Sequence, residues 1–406
     1  MNRKLLLTLI AFCAISIFYK GNLYCQPGSI KFIDYFFEHA SPLCWELQGD
    51  TIHKIYLFPD YERESVNRQT THWYFGVEAE KGTKVRFLLS KLLPGAYNGK
   101  VSNVRSMEKN LPCYISFDRK TWDTAGTLLS AGGDLIVEFT MKEDYAYVAR
   151  MPQYTLTDLE DLKKQIKGNN LIKIFNIGMT VEKRPLEIIQ LGNPDAPYHF
   201  LIRARAHPWE SGGNWLVEGL IKEFLDRSSK EWQDKFCVYI MPMSNKDGVM
   251  HGMSRFNLKG KDLNRNWEEK SDPELCPEKY ALEEFIESLI RQGKKPCLCI
   301  DLHNDSSGGL HLSRFSNEDA KLMANMKLFE ALMRKHTSYS ETVKYSSSDV
   351  TTFSCGLYER YGIEAIIYEL NANWMSSLKK VPSKNAWMDI GKNMNTVFYE
   401  YSNQKR

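Results

Sequence analysis

The chain has 406 residues, of which 43% are hydrophobic and 25% are charged. This length predicts two or three domains with a large core, and the composition is ordinary for a soluble globular protein. The net charge of +3 is small, and no cluster of basic residues indicates a nucleic-acid-binding face. Nucleic acid is therefore not an expected partner.

The N-terminus has the pattern of an export signal. A positively charged start is followed by an apolar run over residues 5–18. A run this short fits a secretory signal peptide better than a membrane span. We expect residues 1–25 to be a signal peptide and the protein to be exported, either periplasmic or extracellular. Cys25 is a candidate for a lipid anchor, although Tyr24 before it fits poorly, and no second apolar run is long enough to span a bilayer.

Residues 26–152 contain many short β-like runs separated by turn residues. Several of them alternate apolar with polar residues, for example at 71–77, 84–89, 113–117 and 134–140. Alternation with a period of two is typical of half-buried antiparallel strands. This region is predicted to be an antiparallel β-sandwich domain.

From residue 153 to residue 406 the pattern changes to strands that alternate with helices. A linker helix over 155–167 carries acidic residues early and lysines late, which matches the helix dipole. Alternating strands and helices predict an α/β domain with a mostly covered sheet. Strands are predicted at 171–179, 186–191, 200–206, 236–243, 297–303 and 363–370, and helices at 213–225, 279–291, 317–336 and 386–401.

The segment His207-Pro208-Trp209-Glu210 lies between a predicted strand and a predicted helix. The loops at the carboxyl ends of strands are where α/β folds bind their ligands. An imidazole and a carboxylate are ligands that zinc accepts, and a catalytic zinc needs one more protein ligand and an open position. The spacing alone is a weak signal, because a histidine and a glutamate three residues apart occur often by chance.

Residues 245–267 form a loop far longer than a simple connector, which predicts a functional role. Arg265 beside Asn264 offers a planar donor fork and an amide, a combination that suits a carboxylate. Arg255 is a second cation on the same loop. The alternative interpretation is a solvated basic loop with asparagines in turn positions.

Two apolar strands end in polar residues. The strand at 297–303 ends with Asp301 and His303, which places the histidine at the functional edge of the sheet, although a lone histidine there is more often structural. Glu369 interrupts the apolar strand at 363–370. A buried carboxylate in that setting must be paired, bound to a metal, or held with a raised pKa.

These four stretches, in this order, resemble the zinc carboxypeptidase family of which carboxypeptidase A is the type. The resemblance covers most of residues 172–400, and its most specific part is the sequence D-L-N-R-N-W at 262–267. Segments at 112–122 and 147–155 resemble the β-domain of the cytosolic-carboxypeptidase-like branch. The implied fold is an α/β/α catalytic domain with a mixed central sheet, preceded by the antiparallel β-sandwich.

The resemblance implies one zinc ion per chain. It would be held by His207, Glu210 and His303, with Asp262 orienting His207. The roles of the remaining residues are implied in the same way: Glu369 as the general base for a zinc-activated water, Arg255 as the group that stabilises the oxyanion, and Asn264, Arg265 and Tyr345 as substrate-binding residues. Tyr345 is the nearest match to the mobile tyrosine of the family. The branch usually has glycine where Trp209 stands, so the pocket rim is expected to differ.

The implied function is that of a zinc metallocarboxypeptidase, a peptide hydrolase that acts on the C-terminus of peptides or protein tails. The alternative is a zinc-dependent deacylase of N-acyl amino acids from the same superfamily, which does not usually carry this β-domain. A third interpretation is an inactive binding protein, but neither a ligand nor the base of the motif is missing. A fourth takes the β-domain as a module that binds carbohydrate or peptide.

Overall fold

The computed structural model describes residues 30–48, 52–63, 65, 67–97, 100–101, 111–227, 230–314, 320–347 and 351–405. The predicted signal peptide at 1–25, with Cys25, lies outside these residues. In chain order the N-terminal strands are β1 (Phe32–Asp34), β2 (Leu43–Gln48), β3 (Ile52–Leu57), β4 (Asn67–Thr70), β5 (Tyr74–Glu78), β6 (Lys84–Ser90), β7 (Leu93–Tyr97), β8 (Lys100–Val101), β9 (Tyr114–Ser116), β10 (Asp123–Thr124), β11 (Gly126–Leu129), β12 (Leu135–Thr140) and β13 (Tyr145–Ala149).

Within the described residues, these strands form two five-stranded sheets that face each other across one apolar core. The sheet orders are β1-β5-β13-β9-β10 and β11-β12-β6-β3-β2, and a small sheet β4-β7-β8 lies apart. The alternating pattern explains the core, because β6 turns Val85, Phe87 and Leu89 inward and Lys84 and Arg86 outward. Pairings within the two large sheets are antiparallel, except that β3 pairs with β6 in parallel.

The C-terminal part contains the remaining strands and the helices. The strands are β14 (Ile172–Met179), β15 (Pro185–Leu191), β16 (Tyr198–Ala204), β17 (Phe236–Met241), β18 (Leu298–Asp305), β19 (Gly309–Arg314), β20 (Lys344–Ser347) and β21 (Ala365–Asn371). The helices are α1 (Leu156–Ile166), α2 (Gly212–Arg227), α3 (Lys230–Lys235), α4 (Lys246–Met250), α5 (Pro277–Arg291), α6 (Ala320–His336), α7 (Phe353–Tyr361) and α8 (Lys384–Gln404).

In the part of the chain that the structure describes, these strands form one eight-stranded mixed sheet with the order β14-β15-β17-β16-β18-β21-β19-β20. Its centre, β17-β16-β18-β21, is parallel, whereas β15 pairs with β17 and β19 pairs with β21 in antiparallel directions. One face packs against α2, α6 and α8, and the other packs against α5 and α7. The predicted α/β/α fold with a mixed sheet, preceded by antiparallel sheets, is confirmed.

The predicted strands and helices of the C-terminal part are all present, with ends shifted by a few residues. Five elements were not predicted, namely β19, β20, α3, α4 and α7. They are short and mix polar with apolar residues, and α4 lies inside the segment interpreted as a loop, so their periodicity is weak. The predicted domain division at 152/153 falls between β13 and α1 and stays a prediction. Among the described helices, none is long and apolar enough to cross a membrane.

Arg150 joins the N-terminal sheets to the C-terminal part. Its guanidinium lies over the rings of Trp73 and Trp209, at 5.5 and 5.7 Å from their centroids. It also donates hydrogen bonds to the carbonyl oxygen of Ala372 (3.2 Å) and to the side chain of Asn373. Trp209 is therefore buried against this junction, whereas we expected it to change the pocket rim.

Glu278, in the first turn of α5, predicts a pH dependence of stability. Its side chain is 1% exposed, and burial raises its pKa from 4.5 to about 7. The folded state therefore binds this proton more tightly than the unfolded state, and stability declines as the pH rises from 4.5 through 7. The free energy of unfolding falls by up to about 3 kcal/mol over this pH range. Glu278→Gln should raise the melting temperature at pH 8 but not at pH 4.

The matched control is Glu274→Gln, at an exposed position just before the same helix. It should leave the melting temperature unchanged at both pH values. Equal effects of Glu278→Gln at pH 4 and pH 8 would show that the carboxyl of Glu278 does not titrate in this range.

Candidate active site

The candidate site lies where three neighbouring parallel strands end. β16 leads into the turn that carries His207 and Glu210, β18 carries His303, and β21 carries Glu369. The register pairs His303 directly with Glu369, so both side chains leave the sheet on the same face. The parallel topology thus brings these four residues to one edge of the sheet, although the first and the last are 162 positions apart in sequence.

His207, Glu210 and His303 converge on one point. The Nδ1 atoms of the two histidines lie 3.1 Å apart, and each is 2.8 Å from a different oxygen of Glu210. All three side chains are buried. Among the described residues they form a group whose ligand atoms lie within 4.8 Å of one another and could hold a metal ion.

The far nitrogen of each histidine contacts a carboxylate. Nε2 of His207 is 3.1 Å from Asp262, and Nε2 of His303 is 2.7 Å from Asp301. Such a contact allows Nε2 to carry the proton, so that the lone pair of Nδ1 is available to a metal ion. Two Nδ1 lone pairs and a carboxylate directed at one buried point form a donor set that zinc accepts, so the residues fit the metal that the sequence predicts.

The charges of the cluster affect one another. Burial by itself would raise the pKa of Glu210, but the positive potential and hydrogen bonds of His207 and His303 lower that pKa to about 2. Burial would lower the pKa of His303, but Asp301 and Glu210 hold it well above its usual value. Glu210 is therefore held as a carboxylate, the form that binds a cation.

Arg255 and Asp262 form a buried ion pair beside the cluster. Nε and Nη2 of Arg255 donate to the same oxygen of Asp262, at 2.8 and 2.7 Å. Burial favours the neutral acid, but Arg255 first and His207 second outweigh it and lower the pKa of Asp262 well below its usual value. Arg255 thus lies two hydrogen bonds from His207, close to the candidate metal position.

Sequence reasoning gave no role to Asp301 and did not include Arg203. Arg203 on β16 is paired in register with Asp301 on β18, and its guanidinium donates twice to that carboxylate, once at 2.7 Å. Both side chains are fully buried. A signal was present in the sequence, since Asp301 precedes His303 by two residues on a strand and therefore shares its face. The partner on the neighbouring strand could not be read without the register.

Glu369 is half-buried beside the ligand cluster. Burial raises its pKa well above the usual range; Asp305 and Glu210 add to that rise, whereas His303 and Lys344 oppose it. Its Oε2 atom is buried and has no hydrogen-bond partner among the described residues. A carboxyl in this setting holds a proton readily, which suits a group that must accept and return one.

The three predicted substrate-binding residues differ in their surroundings. The side-chain oxygen of Asn264 accepts from the backbone N–H of Phe353 (3.0 Å), and its Nδ2 lies 3.2 Å from Nε2 of His303, so both ends of the amide are engaged within the protein. Arg265 donates to the carbonyl oxygen of Asn264 (2.7 Å) and lines a cavity of about 180 Å³, and its buried Nε has no partner among the described residues. Tyr345 is paired with Leu312 in the backbone, and its side chain lies outside the described residues.

The family of the protein follows from comparison with known proteins. A sequence model of the zinc carboxypeptidase family matches residues 159–377, which is more than half of the chain. The chain therefore belongs to the zinc carboxypeptidase family, as predicted. This membership and the names of the relatives support the prediction that the chain is an enzyme of the peptide hydrolase class.

Curated relatives are similar over the same region. The chain is 34% identical over 192 residues to cytosolic carboxypeptidase 1 of Mus musculus and 29% identical over 192 residues to the protein of that name from Gallus gallus. Each match covers 42% of this chain and 15% of the relative, so the chain corresponds to a small part of each relative's length.

Two solved structures share the fold over nearly the whole chain. A metallo-carboxypeptidase from Burkholderia cenocepacia has a TM-score of 0.81 and 20% identity, covering 92% of this chain and 98% of its own. A metallo-carboxypeptidase from Pseudomonas aeruginosa, in complex with (2-guanidinoethylmercapto)succinic acid, gives the same score and identity, covering 92% and 100%. At this identity the likeness shows the fold alone.

The predicted export of the protein is wrong. The matched curated relatives are named cytosolic carboxypeptidases, which contradicts a periplasmic or extracellular location. The prediction rested on a charged start and an apolar run within residues 1–25. Such a pattern reflects composition alone, because any short apolar segment after basic residues has it.

The metal prediction concerns His303. His303→Ala removes one of three ligands, so the purified variant should lose bound zinc, measured by elemental analysis. The fold should persist, since Asp301 keeps its buried partner Arg203. His251→Ala is the control, because His251 is a surface histidine paired with Glu182, and it should retain the metal content of the parent protein. Unchanged zinc in His303→Ala would remove His303 from the ligand set.

Proposed function

We propose that the protein is a zinc-dependent metallocarboxypeptidase that hydrolyses the C-terminal peptide bond of peptides or protein tails. The observation that carries this proposal is the convergence of His207, Glu210 and His303 directly beside Glu369, at the ends of parallel strands. Family membership supports it, because the family is defined as one of zinc carboxypeptidases.

Zinc held by these three residues would supply a Lewis acid for the scissile carbonyl and for the attacking water. The fourth position must stay open for those groups. Asp262 and Asp301 would keep both imidazoles in the ligating tautomer throughout the reaction. Arg255 and Arg203 neutralise these two carboxylates, so the buried site does not accumulate uncompensated negative charge.

Glu369 is proposed as the general base and acid. It would accept a proton from the attacking water as oxygen bonds to the scissile carbonyl carbon. It would then deliver the proton to the leaving amine as the carbon–nitrogen bond breaks, so that one residue serves both steps. The raised pKa and the unpartnered buried oxygen of Glu369 support this role, because the protonated form is stabilised while the proton is held.

Arg255 is proposed to stabilise the negative charge that develops on the carbonyl oxygen. Its guanidinium is held by Asp262, which also contacts His207, so the cation is fixed next to the metal ligands. Fixed donors need no reorganisation when charge appears, and a buried site makes them more effective.

Arg265 is proposed to bind the terminal carboxylate of the substrate. Its side chain lines the cavity beside Asp262, and its buried Nε has no partner among the described residues. A guanidinium binds two carboxylate oxygens at once. A substrate role for Asn264 would require its Nδ2 donor to leave Nε2 of His303, which lies 3.2 Å away, and for Asn264 and Tyr345 that role stays a prediction.

A panel of peptides with varied C-terminal residues, read by mass spectrometry, would test the proposed function. Release of single amino acids from free C-termini is the expected result. N-acyl amino acids form the second arm, because a deacylase would use the same ligands and the same base. Cleavage of the acyl compounds without cleavage of the peptides would favour the deacylase instead.

Glu369→Gln keeps the shape of the side chain and removes the proton acceptor. Turnover should fall by about 10²–10⁴-fold, while zinc content stays unchanged. The control is Glu359→Gln, an exposed position on α7, which should keep full activity. A Glu369→Gln variant that retains more than about a tenth of parent turnover would exclude Glu369 as the base.

Replacing the terminal carboxylate of the substrate by an amide should greatly slow cleavage. A peptide with a free C-terminus should be cleaved one residue at a time, and its amidated form hardly at all. The amide offers Arg265 one oxygen instead of two and no counter-charge, and a charged hydrogen bond contributes about 1.5–3 kcal/mol. Arg265→Ala should slow cleavage of the free acid selectively and so reduce the difference between the two peptides.

Arg291→Ala is the control for loss of a cation, since Arg291 is an exposed residue at the end of α5. It should leave the preference for the free acid intact. Equal cleavage of the acid and the amide by the unmodified enzyme would contradict the exopeptidase proposal.

A further inference from the structure

Asp60, in the N-terminal sheet region, contacts the segment that carries Arg255. Its carboxylate accepts hydrogen bonds from three successive backbone N–H groups, those of Ser254 (2.9 Å), Arg255 (2.6 Å) and Phe256 (3.1 Å). Asp60 follows β3, nearly 200 residues before this segment in the chain. Asp60, a residue of the N-terminal sheet region, therefore holds the backbone of the segment that carries the proposed catalytic side chain of Arg255.

A carboxylate is the group that this arrangement requires. Two ionised oxygens offer enough lone pairs for three donors, and charge-assisted hydrogen bonds are shorter and stronger than neutral ones. Asparagine has nearly the same shape, but one of its two terminal atoms is an NH₂ donor, which would face a backbone N–H. Asp60→Asn is thus expected to release part of the segment without changing the volume at the site.

Gln69 on β4 makes a second contact, to the side chain of Arg255. Its Oε1 accepts from Nη1 of Arg255 at 3.3 Å. The opposite edge of the same guanidinium donates to Asp262. The Arg255 side chain is 5% exposed and is held between an amide of the N-terminal sheets and a carboxylate of the C-terminal part. Its position is fixed from both sides.

Further contacts with the N-terminal sheet region restrict the movement of the loop that carries Arg255. The hydroxyl of Ser254 accepts from the backbone N–H groups of Thr71 and His72, both at 3.3 Å. Gly260 accepts from the N–H of Arg63 at 2.8 Å, and a Cβ atom on Gly260 would lie 2.8 Å from that nitrogen. The loop therefore packs backbone against backbone on the N-terminal sheets, which leaves little room for it to move.

We infer that Asp60 and Gln69 are positioning residues for Arg255, so that the N-terminal sheets complete the active site. This inference rests on the proposed role of Arg255 in the reaction. Neither residue needs to touch the substrate. Asp60 fixes the backbone at residues 254–256, and Gln69 orients the guanidinium. Their effect should appear in the rate of the chemical step, because a displacement of about 1 Å in a catalytic group costs up to about 10²-fold.

Asp60→Asn should lower kcat about tenfold and leave KM within about twofold, because the donor is needed most where charge develops. Zinc content and melting temperature should stay close to those of the parent enzyme. Gln69→Ala should act in the same direction with a smaller effect. The matched control is Asp123→Asn, a carboxylate of the same sheets that is exposed and paired with Lys142, and it should leave kcat unchanged.

The double variant with Arg255→Ala separates positioning from a general structural effect. If Asp60 acts through Arg255, Asp60→Asn should cause no further loss of kcat once Arg255 is alanine. Independent, multiplicative losses from Asp60→Asn and Arg255→Ala would overturn the inference. So would a rise in KM with kcat unchanged, or a loss of bound zinc in Asp60→Asn.

Hydrogen exchange gives a readout that does not depend on activity. In Asp60→Asn the amides of residues 254–256 should exchange at least about tenfold faster, while exchange in β3 and β6 stays as in the parent protein. Unchanged exchange at 254–256 would overturn the inference, even if the enzyme cleaved no peptide. An enzyme that is active but loses no kcat in Asp60→Asn would also overturn it and would leave the proposed function intact.

Discussion

The structure depends on the burial of several charged groups around one point. Glu210, Asp262 and Asp301 surround two imidazoles, and all of these side chains are shielded from water. Buried carboxylates are costly unless cations and hydrogen bonds compensate them. Arg255 compensates Asp262 and Arg203 compensates Asp301, so that each histidine has a carboxylate beside it and each of those carboxylates has a guanidinium.

The turn with His207 and Glu210 is held by a third buried arginine. Arg205 has a left-handed backbone with φ of 62°, which is strained for a residue with a side chain. Its guanidinium donates to the carbonyl oxygen of Pro208 (2.6 Å) and to Asn214 (3.0 Å) on α2. These contacts stabilise the sharp departure of the chain from β16 and direct both ligands of the turn toward His303.

The N-terminal sheets contribute to the same arrangement. His39 lies 3.0 Å from the guanidinium of Arg205, and Asp60 and Gln69 hold the segment and side chain of Arg255. The two parts of the chain therefore share buried polar contacts as well as apolar ones. A carbohydrate- or peptide-binding role for these sheets, considered from sequence, has no specific observation in its favour.

The sequence alone determined the elements and the types of residue at the site. Hydrophobic periodicity predicted most of the strands and helices of the C-terminal part, because burial imposes a period of two on half-buried strands and 3.6 on helices. The spacing of His207 and Glu210 was a weak signal by itself, and the resemblance to the zinc carboxypeptidases implied the full ligand set with His303. The prediction of export was wrong, because it rested on the composition of the N-terminal run, and composition by itself does not establish that a segment directs export.

Only the tertiary structure decided which groups compensate the buried charges. Arg203 meets Asp301 because β16 and β18 are adjacent and in a particular register, which is a property of the assembled sheet. Asp60 meets residues 254–256 because two groups of strands pack together across nearly 200 residues of sequence. Local patterns reflect neighbours along the chain, whereas the partners of a buried charge are chosen by packing, which sequence periodicity does not contain.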